Sequence, residues 1–251
     1  MKKLSKEIEK KGFIIIKNFF TKKEISLFQS LLLDFSRQQV RKITKRKFKN
    51  INDLVIFLFK NNLKILRETV EATPYLMGSK VFIANSKIKK LLENFFNKYE
   101  KIYVTGPHIF YKNNIVKTRV YKPHTEQSYY PLRKSFVNLW FPLFFEKNKH
   151  NGSMTVIEGS HKITSKIKKS KTIDKYYTKG FEQLEVINKK FDKLKKTTIE
   201  IPVGDLVVFH KDLVHLANIN NTKKISCHAE VRLYDYSKDK TFFRLPITRK
   251  S

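Results

Sequence analysis

The chain has 251 residues, 41% of them hydrophobic and 13% aromatic, enough for one domain with a sizeable core. No run approaches the roughly 18 to 20 apolar residues of a membrane span. The N-terminus carries no apolar signal core, and a single cysteine, Cys227, excludes an internal disulfide, so the expectation is a cytoplasmic protein in a reducing compartment. The formal charge of +31 is distributed: only nine of the 53 basic residues are Arg, and the Lys are spread along the chain. That pattern reads as a solvated basic surface that draws in anions at long range, rather than a dedicated polyanion site.

Along the chain, residues 11–20 read as a short strand. Thr21 and Glu24 then have the form of a capping box, a Thr that caps and a Glu three residues on that reciprocates. Ile25, Phe28, Leu32 and Phe35 follow on one helical face over 21–35. A basic turn at 37–50 precedes a strongly apolar helix at about 53–71, and another helix is expected near 85–99. From about residue 103 the pattern turns to β, with strands expected at 116–121, 136–145, 154–157, 197–201, 206–209 and 225–234. Pro123, Pro131, Asn151-Gly152, Gly159 and Gly204-Asp205 punctuate them. Residues at about 162–196 form a polar, Lys-rich insertion read as helix or loop. Helices followed by short strands predict an α+β fold, with helices packed on an antiparallel sandwich or barrel.

Chemistry concentrates at His124-Thr125-Glu126. In an extended segment, residues i and i+2 project from the same face, so an imidazole and a carboxylate would enter one cavity together. A histidine from a distant strand would complete a 2-His-1-carboxylate triad, which suits Fe(II) and leaves coordination positions open. The tripeptide alone has little specificity, since H-x-E is common by chance and a lone His is most often a hydrogen-bonded structural residue.

The order of motifs adds that specificity. Gly12-Phe13 and the capped helix stand first, then His124-x-Glu126, then Trp140-x-Pro142-Leu143. Asn151-Gly152-Ser153-Met154 leads into Glu158-Gly159-Ser160-His161-Lys162. Gly204-Asp205-Leu206-Val207-Val208-Phe209 precedes His215, and Asn221-Thr222 lies just beyond. Over nearly its whole length this set resembles the phytanoyl-CoA dioxygenase family of Fe(II)/2-oxoglutarate oxygenases.

The resemblance implies a double-stranded β-helix (jelly roll) core over 101–251, with the mostly helical residues 1–100 packed on it as part of one oxygenase domain, 1–251. It implies Fe(II) as cofactor, 2-oxoglutarate as cosubstrate, O2 as oxidant and a small-molecule substrate. His215 becomes the distal ligand beside His124 and Glu126, and a carboxylate at 126 implies hydroxylation rather than halogenation. His161 reads as structural, and His228 as core more than cavity lining. Three positions depart from the family: Glu126 stands where Asp is usual, Glu158 replaces a Pro, and the Arg that holds the far carboxylate of 2-oxoglutarate aligns with Lys224. Lys224 is therefore the expected anchor, with Arg232 the alternative and Asn138 a further cosubstrate contact. Arg119, Tyr121, Gln127, Tyr129, Tyr130, Arg133 and Trp140 are candidates to line the pocket.

Two readings compete: a basic, noncatalytic nucleic-acid-binding module, and an oxidative nucleic-acid demethylase on the same barrel. Both need basic and aromatic residues converging on one groove. Dispersed Lys and the lack of a base-reading motif make nucleic acid the less favoured partner. No feature of the sequence sets the oligomeric state.

Overall fold

The computed structural model describes residues 2–95, 102–114, 121–131, 135–173 and 182–235. Helix α1 (Lys2–Lys11) leads into strand β1 (Phe13–Ile16), and then come α2 (Lys22–Val40), α3 (Ile51–Asn61), α4 (Leu63–Ala72), α5 (Met77–Ile83) and α6 (Ser86–Phe95). Strand β2 (Ile102–Lys112) follows, then the one-turn helix α7 (Glu126–Tyr129), β3 (Phe136–Pro142) and β4 (Met154–Ile157). The rest is β5 (Lys166–Ile173), β6 (Glu182–Ile187), β7 (Lys196–Thr198), β8 (Leu206–His210), β9 (His215–Ala217) and β10 (Ser226–Asp235). No helix among the described residues is long and apolar enough to cross a membrane.

The expected α2 forms, and its capping box is complete: Thr21 Oγ1 accepts from the Glu24 amide at 3.2 Å and Glu24 Oε2 accepts from the Thr21 amide at 2.7 Å. It runs on past residue 35 to Val40, burying Ile25, Phe28, Leu32, Ser36 and Val40. Ser36 therefore takes the inward position given above to Phe35, its hydroxyl donating to the Leu32 carbonyl. Thr21→Ala should cost about 1 kcal/mol of stability, read as a lower urea midpoint with unchanged slope; an unchanged midpoint would show that the cap contributes nothing.

The single helix expected at 53–71 is two helices. Asn62 (φ −158°) ends α3 and caps α4, accepting from the Ile65 amide at 3.0 Å. A short polar side chain that can satisfy an orphan amide offers the chain a way out of the helix.

Five strands form one antiparallel sheet in the order β1-β8-β3-β10-β2, and three form a smaller one, β7-β4-β9. Alternation sorts the central strands. Leu139 and Phe141 of β3 and Cys227, Ala229, Val231 and Leu233 of β10 join the buried residues of α2, α3 and α4 in the main core. The opposite face meets the small sheet: Trp140, Val207 and Phe209 pack with Met154, Val156, Ile199 and Ile201. The result is an α+β jelly roll with helices on the outside of the large sheet and a cavity on its inside.

Strand β2 is missing from the strands expected above; it carries Gly106-Pro107 in its middle, a dipeptide of the kind that marks turns. It is an edge strand, where Pro is tolerated, and the pair sits at a bulge: Glu230 faces His108 but Arg232 faces Thr105. Gly106 has φ +100°, and a Cβ there would meet the Glu230 carbonyl oxygen at 2.5 Å, so only glycine fits. Strand β9 is also missing from that list. The insertion at 162–196, expected as helix or loop, carries a two-stranded β5–β6 hairpin. The strand expected at 116–121 lies outside the described residues, apart from Tyr121.

Candidate active site

His124 and His215 meet across an isolated antiparallel bridge, each amide donating to the other's carbonyl at 2.9 Å. Glu126 reaches the same point by a route the sequence did not suggest. The segment is extended only to Thr125, whose side chain caps α7 by accepting from the Ser128 amide. Glu126 is the first residue of that turn. Each of the three side chains offers one ligand atom, and these atoms lie within 4.8 Å of one another, all buried.

The imidazoles are oriented for ligation. His124 Nδ1 is 2.7 Å from the Lys122 carbonyl and His215 Nδ1 is 3.0 Å from the Leu213 carbonyl. A carbonyl can only accept, so both Nδ1 atoms carry hydrogen, and in the neutral rings the lone pair is on Nε2. His215 Nε2 lies 3.5 Å from Glu126 Oε1. Tyr129 and Phe209 pack edge-on against His124 and His215 respectively, fixing the ring planes.

Arg232 completes the arrangement. Its Nε and one terminal nitrogen donate to Glu126 Oε2 at 2.8 and 2.6 Å, and that terminal nitrogen also donates to Glu230 Oε2 at 3.0 Å. Oε2 of Glu126 is thereby occupied, while Oε1 faces His215. Burial alone would raise the Glu126 carboxyl, but the Arg232 charge and the His215 contact hold it well below the usual carboxylate range. Burial, joined by the His215 charge, pushes His124 down to about 3, leaving it neutral. Burial would also lower His215, and the Glu126 bond and charge outweigh it, raising that ring instead. Glu230 goes up to about 7, by burial first and then by repulsion from Glu126.

The triad opens onto a cavity of about 280 Å³. Of the sequence candidates, Tyr121, Tyr129, Tyr130 and Trp140 line it with Arg232. Gln127 does not; its amide donates to the Tyr130 carbonyl. Asn138 shares the inward face of β3 with Trp140 and pairs across the sheet with Arg232. It is buried and does not line the cavity, with its Oδ1 lacking a hydrogen bond and its Nδ2 3.5 Å from the Phe209 carbonyl. Arg119 and Arg133 lie outside the described residues. Sequence reading missed His108, Phe110 and Lys112, because β2 was not recognised, and underweighted His228.

Lys224 is a correction. It precedes β10, its ammonium lies 5.4 Å from the Phe145 ring centre, and it lines a separate depression with Phe145 and Asn52. The alignment of Lys224 with the family's Arg puts the start of the last strand at the cosubstrate. The chain between β9 and β10 instead leads away from the triad, and β10 then runs back past it, so that Arg232, far along the strand, touches Glu126. His161 is structural, as expected: its Nε2 is 3.0 Å from the Glu9 carbonyl.

A family model described as Phytanoyl-CoA dioxygenase (PhyH) matches residues 8–226. The chain belongs to the phytanoyl-CoA dioxygenase family. It is thus an Fe(II)/2-oxoglutarate-dependent dioxygenase, and the two-histidine, one-carboxylate donor set fits an Fe(II) ion. No curated protein sequence matches this dioxygenase significantly. Solved structures share its fold at low identity. EctD from S. alaskensis with bound Fe has TM-score 0.58 at 14% identity, covering 94% of this chain and 77% of that one. EvdO2 from Micromonospora carbonacea var. aurantiaca, complexed with 2-oxoglutarate, has TM-score 0.57 at 13% identity, covering 92% and 89%. The non-heme alpha ketoglutarate dependent epimerase SnoN, from nogalamycin biosynthesis, has TM-score 0.55 at 12% identity, covering 93% and 82%.

Proposed function

We propose that this dioxygenase hydroxylates a small organic molecule in the cavity, with iron held by His124, Glu126 and His215. The observation that carries the reading is the buried triad, with both imidazoles locked by backbone carbonyls and its carboxylate locked by Arg232. Bound iron, with 2-oxoglutarate and O2, supplies the oxidising power: one oxygen atom enters a C–H bond of the substrate, and the other converts 2-oxoglutarate to succinate and CO2.

The protein's own part is positioning. The carbonyls of Lys122 and Leu213 fix the tautomers, and Arg232 keeps Glu126 ionised and aimed. Tyr121, Tyr129, Tyr130, Phe110 and Trp140 line the cavity, and their aromatic surface offers apolar contact to a substrate. The cavity volume is near the lower end of the roughly 300–1,000 Å³ usual for small-molecule sites, which argues for a metabolite rather than a polymer. The surplus of Lys favours an anionic one by long-range attraction.

The test has two stages. Anaerobic Fe(II) titration should saturate at one iron per chain. Small-molecule fractions are then screened with 2-oxoglutarate and O2, and the active fraction should yield succinate together with a product heavier by one oxygen atom. Stoichiometric iron retained by a His124→Ala/His215→Ala double variant would overturn the assignment of the site.

A further inference from the structure

With Lys224 outside the cavity and Arg232 engaged by two carboxylates, the far carboxylate of 2-oxoglutarate needs another cation. We infer that Lys147, seated on Ser226, is that anchor; this rests on the iron-site reading above. Lys147 is 1% exposed, yet it comes from the connection between β3 and β4, while the other lysines among the described residues mostly face solvent. Its ammonium donates to the Ser226 hydroxyl and lies 5.9 Å from the ring centre of Trp140, which lines the cavity. Ser226 opens the inward face of β10 that continues through His228, Glu230 and Arg232. At roughly 3.3 Å per residue it lies about 13 Å along the strand from Glu230, toward the end of the cavity away from Arg232. The cavity lining runs from the triad past His228 to Lys112 at this end, where the other end of a dicarboxylate held at the triad would meet a cation.

The charge pattern supports the assignment. A buried ammonium is costly unless an anion pairs with it, and among the described residues no carboxylate lies within ion-pair distance of Lys147. Lys112, 4% exposed and paired with Ser226 across β2 and β10, brings a second cation to the same end of the cavity, its ammonium donating to the Gly152 carbonyl at 2.8 Å. Burial and the neighbouring charge of Lys112 draw Lys147 well below the usual lysine range. The Lys147 ammonium on the Ser226 hydroxyl, with the Lys112 ammonium nearby, forms a receptor for one carboxylate, which would accept from Lys147 and Ser226 together.

The test is anaerobic calorimetry of the Fe(II)-loaded protein with 2-oxoglutarate and with 2-oxobutyrate, which lacks the far carboxylate. Lys147→Met should weaken 2-oxoglutarate by about tenfold to a hundredfold, the loss of one charge-assisted bond. Binding of 2-oxobutyrate and of iron should not change. Lys147→Arg should recover part of the affinity, and Lys224→Met should match the wild type. A folded Lys147→Met protein that binds 2-oxoglutarate as tightly as the wild type overturns the assignment. If that variant does not fold, Ser226→Ala decides: an unchanged preference for 2-oxoglutarate over 2-oxobutyrate overturns it equally. A wild type that binds iron but neither oxo acid would overturn the cosubstrate reading itself, a result distinguishable from failure of the anchor.

Discussion

Replacing Glu126 with alanine should abolish hydroxylation and lower iron affinity by more than about a hundredfold, since even the partners that merely orient a ligand are worth about tenfold to a hundredfold. The substitution removes the only carboxylate of the triad and leaves two imidazoles. Because Arg232 keeps a second carboxylate, Glu230, at 3.0 Å, the variant should fold, and the loss will be one of ligation and not of structure. Glu126→Gln sharpens the point. It preserves size and an oxygen donor, but it removes the charge that His215 and Arg232 both read, so iron should still bind poorly. Competition with a chromophoric chelator measures the affinity. An alanine variant that holds iron as the wild type does would exclude Glu126 as a ligand.

Arg232→Met should cost about 3–5 kcal/mol of stability in the metal-free protein, the usual penalty for stripping a buried carboxylate of its partner. Two carboxylates are involved, the buried Glu126 and the partly buried Glu230, both beside the guanidinium. In the wild type Glu126 is held low, so its contribution is present above its unfolded value and is lost as pH falls through the folded one. Glu230 behaves oppositely: raised to about 7, its contribution is present below its unfolded value and disappears as pH rises through about 7. Without Arg232 both acids fall into the second class. The variant should therefore destabilise progressively between pH 5 and 8 on unfolding curves (about the span between the carboxylate reference value and neutrality). Saturating Fe(II) should narrow the gap, since a cation bound at the triad replaces part of the lost charge. A flat pH profile, or a gap that metal does not change, would mean Arg232 does not serve the carboxylate.

How far the sequence was legible follows from what kind of signal each residue left. His124, Glu126 and His215 stand out not by the H-x-E tripeptide, which is common by chance, but by the ordered set of turns and motifs around them along the chain. The helical first third and the central strands were legible from periodicity and capping. Contacts that depend on where a strand passes in space were not. Lys224 stands just before β10 and Arg232 near its far end, and only the path of the chain after β9 decides which of them reaches Glu126. Lys147 was invisible for another reason: in a chain with 53 basic residues, one lysine that turns inward leaves no compositional trace. His108, Phe110 and Lys112 were lost with β2, hidden by Gly106-Pro107.

That glycine has a consequence for how the protein can change over time. On the near side of the bulge, Ile109 and Tyr111 pack with the helices; beyond it, the helix-facing residues are Ile102 and Val104, so odd positions hand over to even ones at Gly106. The bulge is a parity switch in the chain. Deleting one residue there would exchange the surroundings of every position between 102 and 105 in a single step, sending Val104 toward the cavity side and Thr105 into the oily layer. Substitutions can accumulate freely on either side of such a switch, but a change in chain length across it must be answered by another. The spacing between residues 102 and 112 should then be among the most slowly varying lengths in close relatives of this enzyme, even where the side chains themselves have diverged.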